Sequence, residues 1–209
     1  MADLKGMAEG LIAGNRDEVR AKVQEAVDEG VKPETILNDG LVAGMSVVGQ
    51  RFKANEIYVP EVLISARAMH AGMEIIEPLL AAAGIERRGK VVIGTVKGDL
   101  HDIGKNLVGM MLSGGGYEVI DVGTDVSADQ FVAAAKDNTA NVIGISALLT
   151  TTMPYMAKVV EAVKEAGLAG VRTMVGGAPV TQQFADEISA NGYAPDAATA
   201  VEVAQRLTA

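Results

Sequence analysis

Val91-Val92-Ile93-Gly94-Thr95-Val96-Lys97-Gly98-Asp99-Leu100-His101-Asp102-Ile103-Gly104 is an apolar run that breaks into a polar octapeptide punctuated by glycine. A short, β-branched run bounded by turn chemistry reads as a buried strand. From Gly104 through Leu107-Val108-Gly109-Met110-Met111-Leu112 the chain reads as a helix. Strand, loop and helix in that order open an α/β fold, and such folds place ligands outside the carboxyl ends of their strands. Asp99, His101 and Gly104, spaced D-x-H-x-x-G, fall in that position. An aspartate two residues before a histidine can accept the ring's second N–H. His101 therefore reads either as a metal ligand oriented by Asp99 or as a hydrogen-bonded surface histidine. Gly104, having no side chain, lets a bulky group approach the backbone.

Beyond the octapeptide the same alternation continues. Short β-rich runs at 91–96, 118–122, 142–147, 171–175 and 192–194 interleave with amphipathic stretches at 104–113, 127–138, 153–166, 181–191 and 197–207. This pattern predicts a doubly wound, flavodoxin-like parallel sheet of five strands. Right-handed crossovers then bring the loops after the first, third and fourth strands to one edge. Those loops are the octapeptide, Ser146-Ala147-Leu148-Leu149-Thr150-Thr151-Thr152, and Val175-Gly176-Gly177-Ala178-Pro179.

Upstream the period changes. Through residue 83 the apolar positions recur at helical spacing: Val19, Val23, Ala26 and Val27, then Ile36, Leu37, Leu41, Met45 and Val48. Asn15 before Asp17-Glu18 reads as an N-cap with an acidic first turn, and Gly30 closes that helix. Pro33 and Pro60 suit the first positions of later helices. Val62, Ala66, Met69, Met73, Ile76 and Leu80 form a heptad-like stripe that packs in a bundle. The glycine-bounded, charged segment Ala83-Gly84-Ile85-Glu86-Arg87-Arg88-Gly89 places a domain boundary between a four-helix bundle at 1–88 and an α/β domain at 89–209.

Composition narrows the chemistry. A chain of 209 residues with 49% hydrophobic composition buries a core without disulfides. The absence of cysteine excludes thiol catalysis and a Cys-zinc site, and leads us to expect a cytoplasmic protein. The start, Met1-Ala2-Asp3-Leu4-Lys5-Gly6, lacks the blocks of a signal peptide, and no apolar run reaches the roughly 20 residues of a membrane span. A net charge of −9 and 3% aromatics argue against nucleic acid as a partner. No strand is followed by G-x-G-x-x-G, no G-x-x-x-x-G-K-[ST] occurs, and Ser146 stands where a phospho-accepting aspartate belongs. With two histidines in the chain a multi-histidine metal site is out of reach. One nitrogen suffices only where a macrocycle supplies the other ligands, and a haem pocket is ordinarily walled by helices. His70 reads as a solvent-facing helical residue, and Lys97 and Lys105 as exposed lysines flanking the motif. The ten methionines suit an adaptable interior.

Asp99-x-His101-x-x-Gly104, the pair Ser146 and Leu148, and Gly176-Gly177, in that order and at those junctions, resemble the three-part signature of the cobalamin-binding domain. That Rossmann-like domain is shared by methionine synthase and the corrinoid proteins of methanol, methylamine and methoxy-arene methyltransferase systems. Phe52-Lys53-Ala54-Asn55-Glu56-Ile57-Tyr58-Val59-Pro60-Glu61, followed by Ser65-Ala66-Arg67-Ala68-Met69, is similar to the helical cap preceding that domain. The resemblance covers nearly the whole chain and is closest to free-standing corrinoid carriers.

The resemblance implies that His101 coordinates cobalt from below, displacing the cofactor's own base, and that Asp99 holds the other ring nitrogen. It places the nucleotide tail beside Gly104, Ser146, Gly176 and Gly177, and counts Asp102, Ile103, Leu148, Thr150 and Ala178 among the cofactor-binding residues. Thr152 stands where methionine synthase carries a relay serine, and Tyr58 where the family covers the upper corrin face. The implied cofactor is cobalamin, as methylcobalamin or cob(I)alamin, or a related corrinoid. The implied role is a methyl carrier in one-carbon metabolism, without catalysis of its own. Its implied partners are a substrate-specific methyltransferase, a second methyltransferase with a tetrahydrofolate or thiol acceptor, and a reductive activase; neither nucleic acid nor membrane is among them. An adenosylcobalamin-dependent mutase subunit shares the lower-face motif but leaves residues 1–83 unexplained. A cobalamin-dependent sensor lacks a basic DNA-binding segment here, and a flavodoxin-like module for another cofactor is the fourth reading.

Overall fold

A computed structural model describes residues 2–85 and 87–209. Glu86, inside the expected boundary segment, lies outside the described residues. The chain separates into two compact units, Met1–Arg87 with Ser113–Gly116, and Arg88–Leu112 with Tyr117–Ala209.

The first unit is helical. In α1 (Leu4–Ile12) the Asp3 carboxylate accepts the Gly6 N–H at 2.8 Å, and Met7 and Leu11 are buried. In α2 (Arg16–Asp28) the Asn15 side chain accepts the Glu18 N–H at 3.3 Å. Each cap satisfies an amide that the helix itself cannot. A third rod runs from α3 (Pro33–Thr35) through a π-helical stretch (Ile36–Val42) into α4 (Ala43–Lys53). The fourth, α5 (Val59–Ala82), has Pro60 in its first turn, and the Glu61 carboxylate accepts the Tyr58 N–H at 3.0 Å. Val62, Met69, Met73, Ile76 and Leu80 are buried as the stripe predicts, whereas Ala66 is half-buried and Ser65, Ala68 and Gly72 are buried instead. The reason is that α5 packs on α1, α2 and α4 together, so its buried face is wider than a two-helix seam.

The second unit is a parallel sheet of order β2-β1-β3-β4-β5 among the described residues. Its strands are β1 (Lys90–Thr95), β2 (Glu118–Asp121), β3 (Val142–Ser146), β4 (Arg172–Gly176) and β5 (Gly192–Ala194). The interleaved helices are α6 (Ile103–Gly114), α7 (Ala128–Asp137), α8 (Pro154–Glu165), α9 (Gln182–Glu187) and α10 (Ala197–Leu207). One face buries Val92, Ile143 and Val175 against Phe131, Met156 and Val159; the other buries Val91, Val142 and Met174 against Leu112, Ala200 and Val203. Coverage on both faces is why these strands read as unbroken apolar runs. α9 is shorter than the expected 181–191, because Ser189 turns the chain into the left-handed region at φ +59°.

Register delivers the functional loops. Thr95 pairs with Ser146 and Ser146 with Gly176, so three adjacent strands end level, and between the first two of them, β1 and β3, the order in which strands are added to the sheet switches sides. Gly177, the first residue beyond β4, has φ +132°, and a Cβ there would lie 1.9 Å from the Ala147 carbonyl oxygen. The third and fourth loops are thus packed backbone against backbone, a closeness that requires glycine whatever binds nearby. We expect Gly177→Ala to destabilise the protein by more than about 3 kcal/mol, through a collision that only strand displacement relieves. Thermal denaturation should show the midpoint falling by about 6–12 °C.

Candidate functional site

Asp99 is fully buried beyond the end of β1 and collects donors from two loops. Its Oδ1 lies 2.7 Å from His101 Nδ1 and accepts the His101 backbone N–H at 3.1 Å. Its Oδ2 accepts the backbone N–H groups of Leu148 at 2.8 Å and Leu149 at 3.3 Å, and the Thr152 hydroxyl at 2.7 Å. The Thr152 proton has a second acceptor within reach, Leu149 O at 2.9 Å, but a charged acceptor makes the stronger bond. Thr95, buried at the end of β1, donates its hydroxyl to His101 O at 2.8 Å and holds the far end of the loop.

These contacts settle the proton arrangement. Burial pushes the Asp99 carboxyl upward, but the Leu148 N–H, the His101 ring, the Thr152 hydroxyl and the His101 N–H together hold it well below the usual carboxylate range. Asp99 is therefore ionised and can only accept. His101 Nδ1 must then be the donor, which leaves Nε2 with its lone pair in the neutral ring. The imidazole is half exposed, at 51% of its side-chain surface. Among the described residues no three His, Cys, Asp or Glu side chains gather as a metal site, so the protein offers a metal here one nitrogen.

Around the histidine the surface is apolar. Leu100, Ile103, Leu148 and Leu149 are exposed at 73%, 80%, 42% and 41%. Leu100 and Leu149 escape a motif-based reading; the visible signal is an apolar residue placed inside a polar loop. Gly104 sits in the first turn of α6, and no protein atom would lie within 4 Å of a Cβ built on it. Asp102, exposed at the start of α6, accepts the Asn106 side-chain N–H at 3.2 Å. Ser146 ends β3 half-buried, Thr150 and Ala178 are exposed, and Gly176 ends β4, where a Cβ would meet Ala194 O at 2.9 Å. The α/β unit thus brings these predicted residues to one sheet edge, while Tyr58 belongs to the helical unit, 65% exposed ahead of α5.

Two surface expectations come out differently. Lys97 is exposed and pairs with Asp125 at 3.4 Å. Lys105 is buried, 3% exposed, and its ammonium is shared between Asp121 and the Asn106 side chain. The expectation of an exposed lysine fails because β2 ends in an acid facing this turn of α6, a pairing between elements that local sequence does not display. His70 is exposed as expected, 3.6 Å from Glu74.

The depressed Asp99 carboxyl predicts a pH dependence with a definite sign. Its contribution to stability is complete above the unfolded value of about 4 and is lost as pH falls below it. Asp99→Asn should remove that acid-limb dependence and cost about 2–3 kcal/mol, since an amide nitrogen would confront donors. Thr152→Val should cost about 1–2 kcal/mol. Denaturant titrations of the cofactor-free chain across the acid range read all three.

Comparison with known proteins adds identity to this geometry. Residues 89–202 match a family described as the B12 binding domain, and residues 4–77 match a second family of that description. The chain is 44% identical to a corrinoid protein of Desulfitobacterium hafniense (strain Y51), over 99% of this chain and 98% of the relative. It is 43% identical to dimethylamine corrinoid protein 3 of Methanosarcina acetivorans, over 99% of each. Among solved structures, a cobalamin-binding protein from Desulfitobacterium hafniense DCB-2 superposes with a TM-score of 0.83 at 28% identity, covering 99% of both chains. A chain of the methanol:cobalamin methyltransferase complex MtaBC from Methanosarcina barkeri superposes at 0.85 with 33% identity, over 97% of this chain and 78% of that one. With B12-binding families matching both units and relatives aligned end to end, this chain belongs to the corrinoid proteins.

Proposed function

We propose that this protein binds a cobalt corrinoid through His101 and carries a methyl group for a methyltransferase system. The observation that carries the reading is the donor set: an imidazole whose Nδ1 proton is held by a buried, ionised aspartate and whose Nε2 is available. A macrocyclic cofactor that brings its other metal ligands with it would fit that single nitrogen. The apolar rim of Leu100, Ile103, Leu148 and Leu149 suits a large, partly apolar ring, and Gly104 leaves backbone open beside it. Asp102, Ile103, Ser146, Leu148, Thr150, Gly176, Gly177 and Ala178 are assigned to the cofactor's surroundings at this sheet edge.

When bound, the corrinoid supplies a cobalt that accepts a methyl group and gives it up again. The chain's own residues would set how firmly that cobalt is held. Asp99 increases the donor strength of His101 by keeping its Nδ1 proton, and Thr152 with the two loop amides keeps Asp99 ionised while it does so. Tyr58, exposed on the helical unit, is assigned a shielding role toward the reduced cofactor, and Tyr58→Ala should speed its oxidation.

A substrate-specific methyltransferase delivers the methyl group, a second one passes it to a folate or thiol acceptor, and a reductive activase restores the cobalt after oxidation. The relatives named for dimethylamine and trimethylamine, and the methanol complex, make methylated amines and methanol the donors to try first. A mutase-subunit reading is disfavoured by relatives that are corrinoid proteins over the full length of this chain, helical unit included.

Reconstitution with hydroxocobalamin tests the reading. In the cobalt(II) state the paramagnetic resonance spectrum should carry one nitrogen splitting that changes on nitrogen-15 labelling of histidine and disappears in His101→Ala. A labelled protein with an unchanged spectrum defeats the assignment. Gly104→Leu should weaken corrinoid binding by at least about tenfold while leaving stability of the cofactor-free chain within about 1 kcal/mol, because the added side chain meets only the space the ring would use.

A further inference from the structure

The loop between β2 and α7, residues 122–127, holds no residue that the cofactor reading uses, yet it is bonded along the whole approach to His101. Thr95 N–H donates to Gly123 O at 2.9 Å, Val126 N–H donates to Thr95 O at 3.0 Å, and Val96 and Val126 form a parallel bridge. At its centre Asp125 makes two reciprocal contacts with the residues just before the histidine. The Gly98 N–H donates to Asp125 Oδ1 at 2.8 Å, and the Asp125 N–H donates to Asp99 O at 3.0 Å. Together these bracket the peptide joining Gly98 to Asp99.

The backbone conformation is what allows both bonds. Asp125 has φ +55°, in the left-handed region that is uncommon for non-glycine residues and that aspartate enters more readily than most. In that conformation its amide and its side chain face the same segment of chain. The Gly98 N–H, with burial opposing and Lys97 assisting, holds the Asp125 carboxyl below its usual range, consistent with a carboxylate committed to these partners.

We propose that Asp125 is a positioning residue for the Asp99–His101 pair: by clamping residues 98–99 from the neighbouring loop it sets the direction of the Asp99 side chain and so the orientation of the imidazole. The inference rests on the reading of His101 as the cobalt ligand for its functional meaning, but the clamp is a property of the polypeptide alone. Its geometry also separates shape from charge. An amide at position 125 can still accept the Gly98 N–H, whereas glycine can keep the left-handed backbone but offers no acceptor.

The test uses the full chain without corrinoid, labelled with nitrogen-15 at histidine, and follows the exchange rate of the His101 Nδ1 proton with solvent by magnetic resonance. In the parent the bond to Asp99 should protect it. Asp125→Gly should accelerate exchange by at least about tenfold, and Asp125→Asn should remain within about twofold of the parent. Thr173→Val, which removes the two hydroxyl bonds to Asn191 near the start of β4, serves as a control for general destabilisation and should lower the melting temperature without exposing the ring proton. If Asp125→Gly does not fold, Asp125→Ser replaces it, since its shorter side chain falls away from Gly98. Ring-proton exchange unchanged in Asp125→Gly or Asp125→Ser, or raised equally by Thr173→Val, overturns the proposal. Because no cobalt is involved, the result stands apart from whether His101 ligates it.

Discussion

A carboxylate with no exposure to solvent, Asp99, is the constraint around which the functional edge of this protein is organised. Burying an unpaired charge costs several kcal/mol, and a hydrogen bond to a charged group contributes only about 1.5–3 kcal/mol. No single donor offsets the burial. The donors come instead from the loop after β1 and the loop after β3, so the ionised side chain exists in this form only when both loops are in place. Integrity of the sheet edge and proton arrangement on His101 are consequently one property. Folding of the edge selects the tautomer.

The parallel sheet supplies the frame for that convergence. Strands ending in register at Thr95, Ser146 and Gly176 deliver their loops side by side. Gly177 allows the fourth loop to close against Ala147, at a distance no side chain tolerates. The glycine pair therefore has a purely structural reason to be glycine, which differs from the open space at Gly104. Residues of one motif thus do different physical work, one letting polypeptide meet polypeptide and another leaving backbone uncovered.

Much of this was legible beforehand because it is local. The alternation of apolar runs with amphipathic stretches marks β1 through β5 and their helices, since strands buried on both faces must be apolar throughout. The Asn15 cap and the proline that opens α5 are decided within a few residues of chain. The D-x-H spacing puts acid and imidazole within reach by covalent connection alone. What escaped was set by partners distant in sequence. Lys105 is buried because Asp121 waits at the end of a neighbouring strand, and α5 buries Ser65 and Gly72 because three helices surround it. Leu100 and Leu149, polar-loop residues by position, became part of an apolar rim only once two loops met.

Sequence alone determined the fold class, the junctions at which chemistry could occur and the resemblance that names the family, because periodicity, turn chemistry and motif spacing are properties of short segments. Tertiary structure alone decided that Asp99 is ionised, that Thr152 and two loop amides keep it so, and that Asp125 brackets its backbone. Those facts depend on donors at Asp125, Leu148, Leu149 and Thr152, 26 to 53 residues from Asp99 in the chain. Hydrogen bonds weaken within a fraction of an ångström, and only the registered sheet brings such distant groups that close.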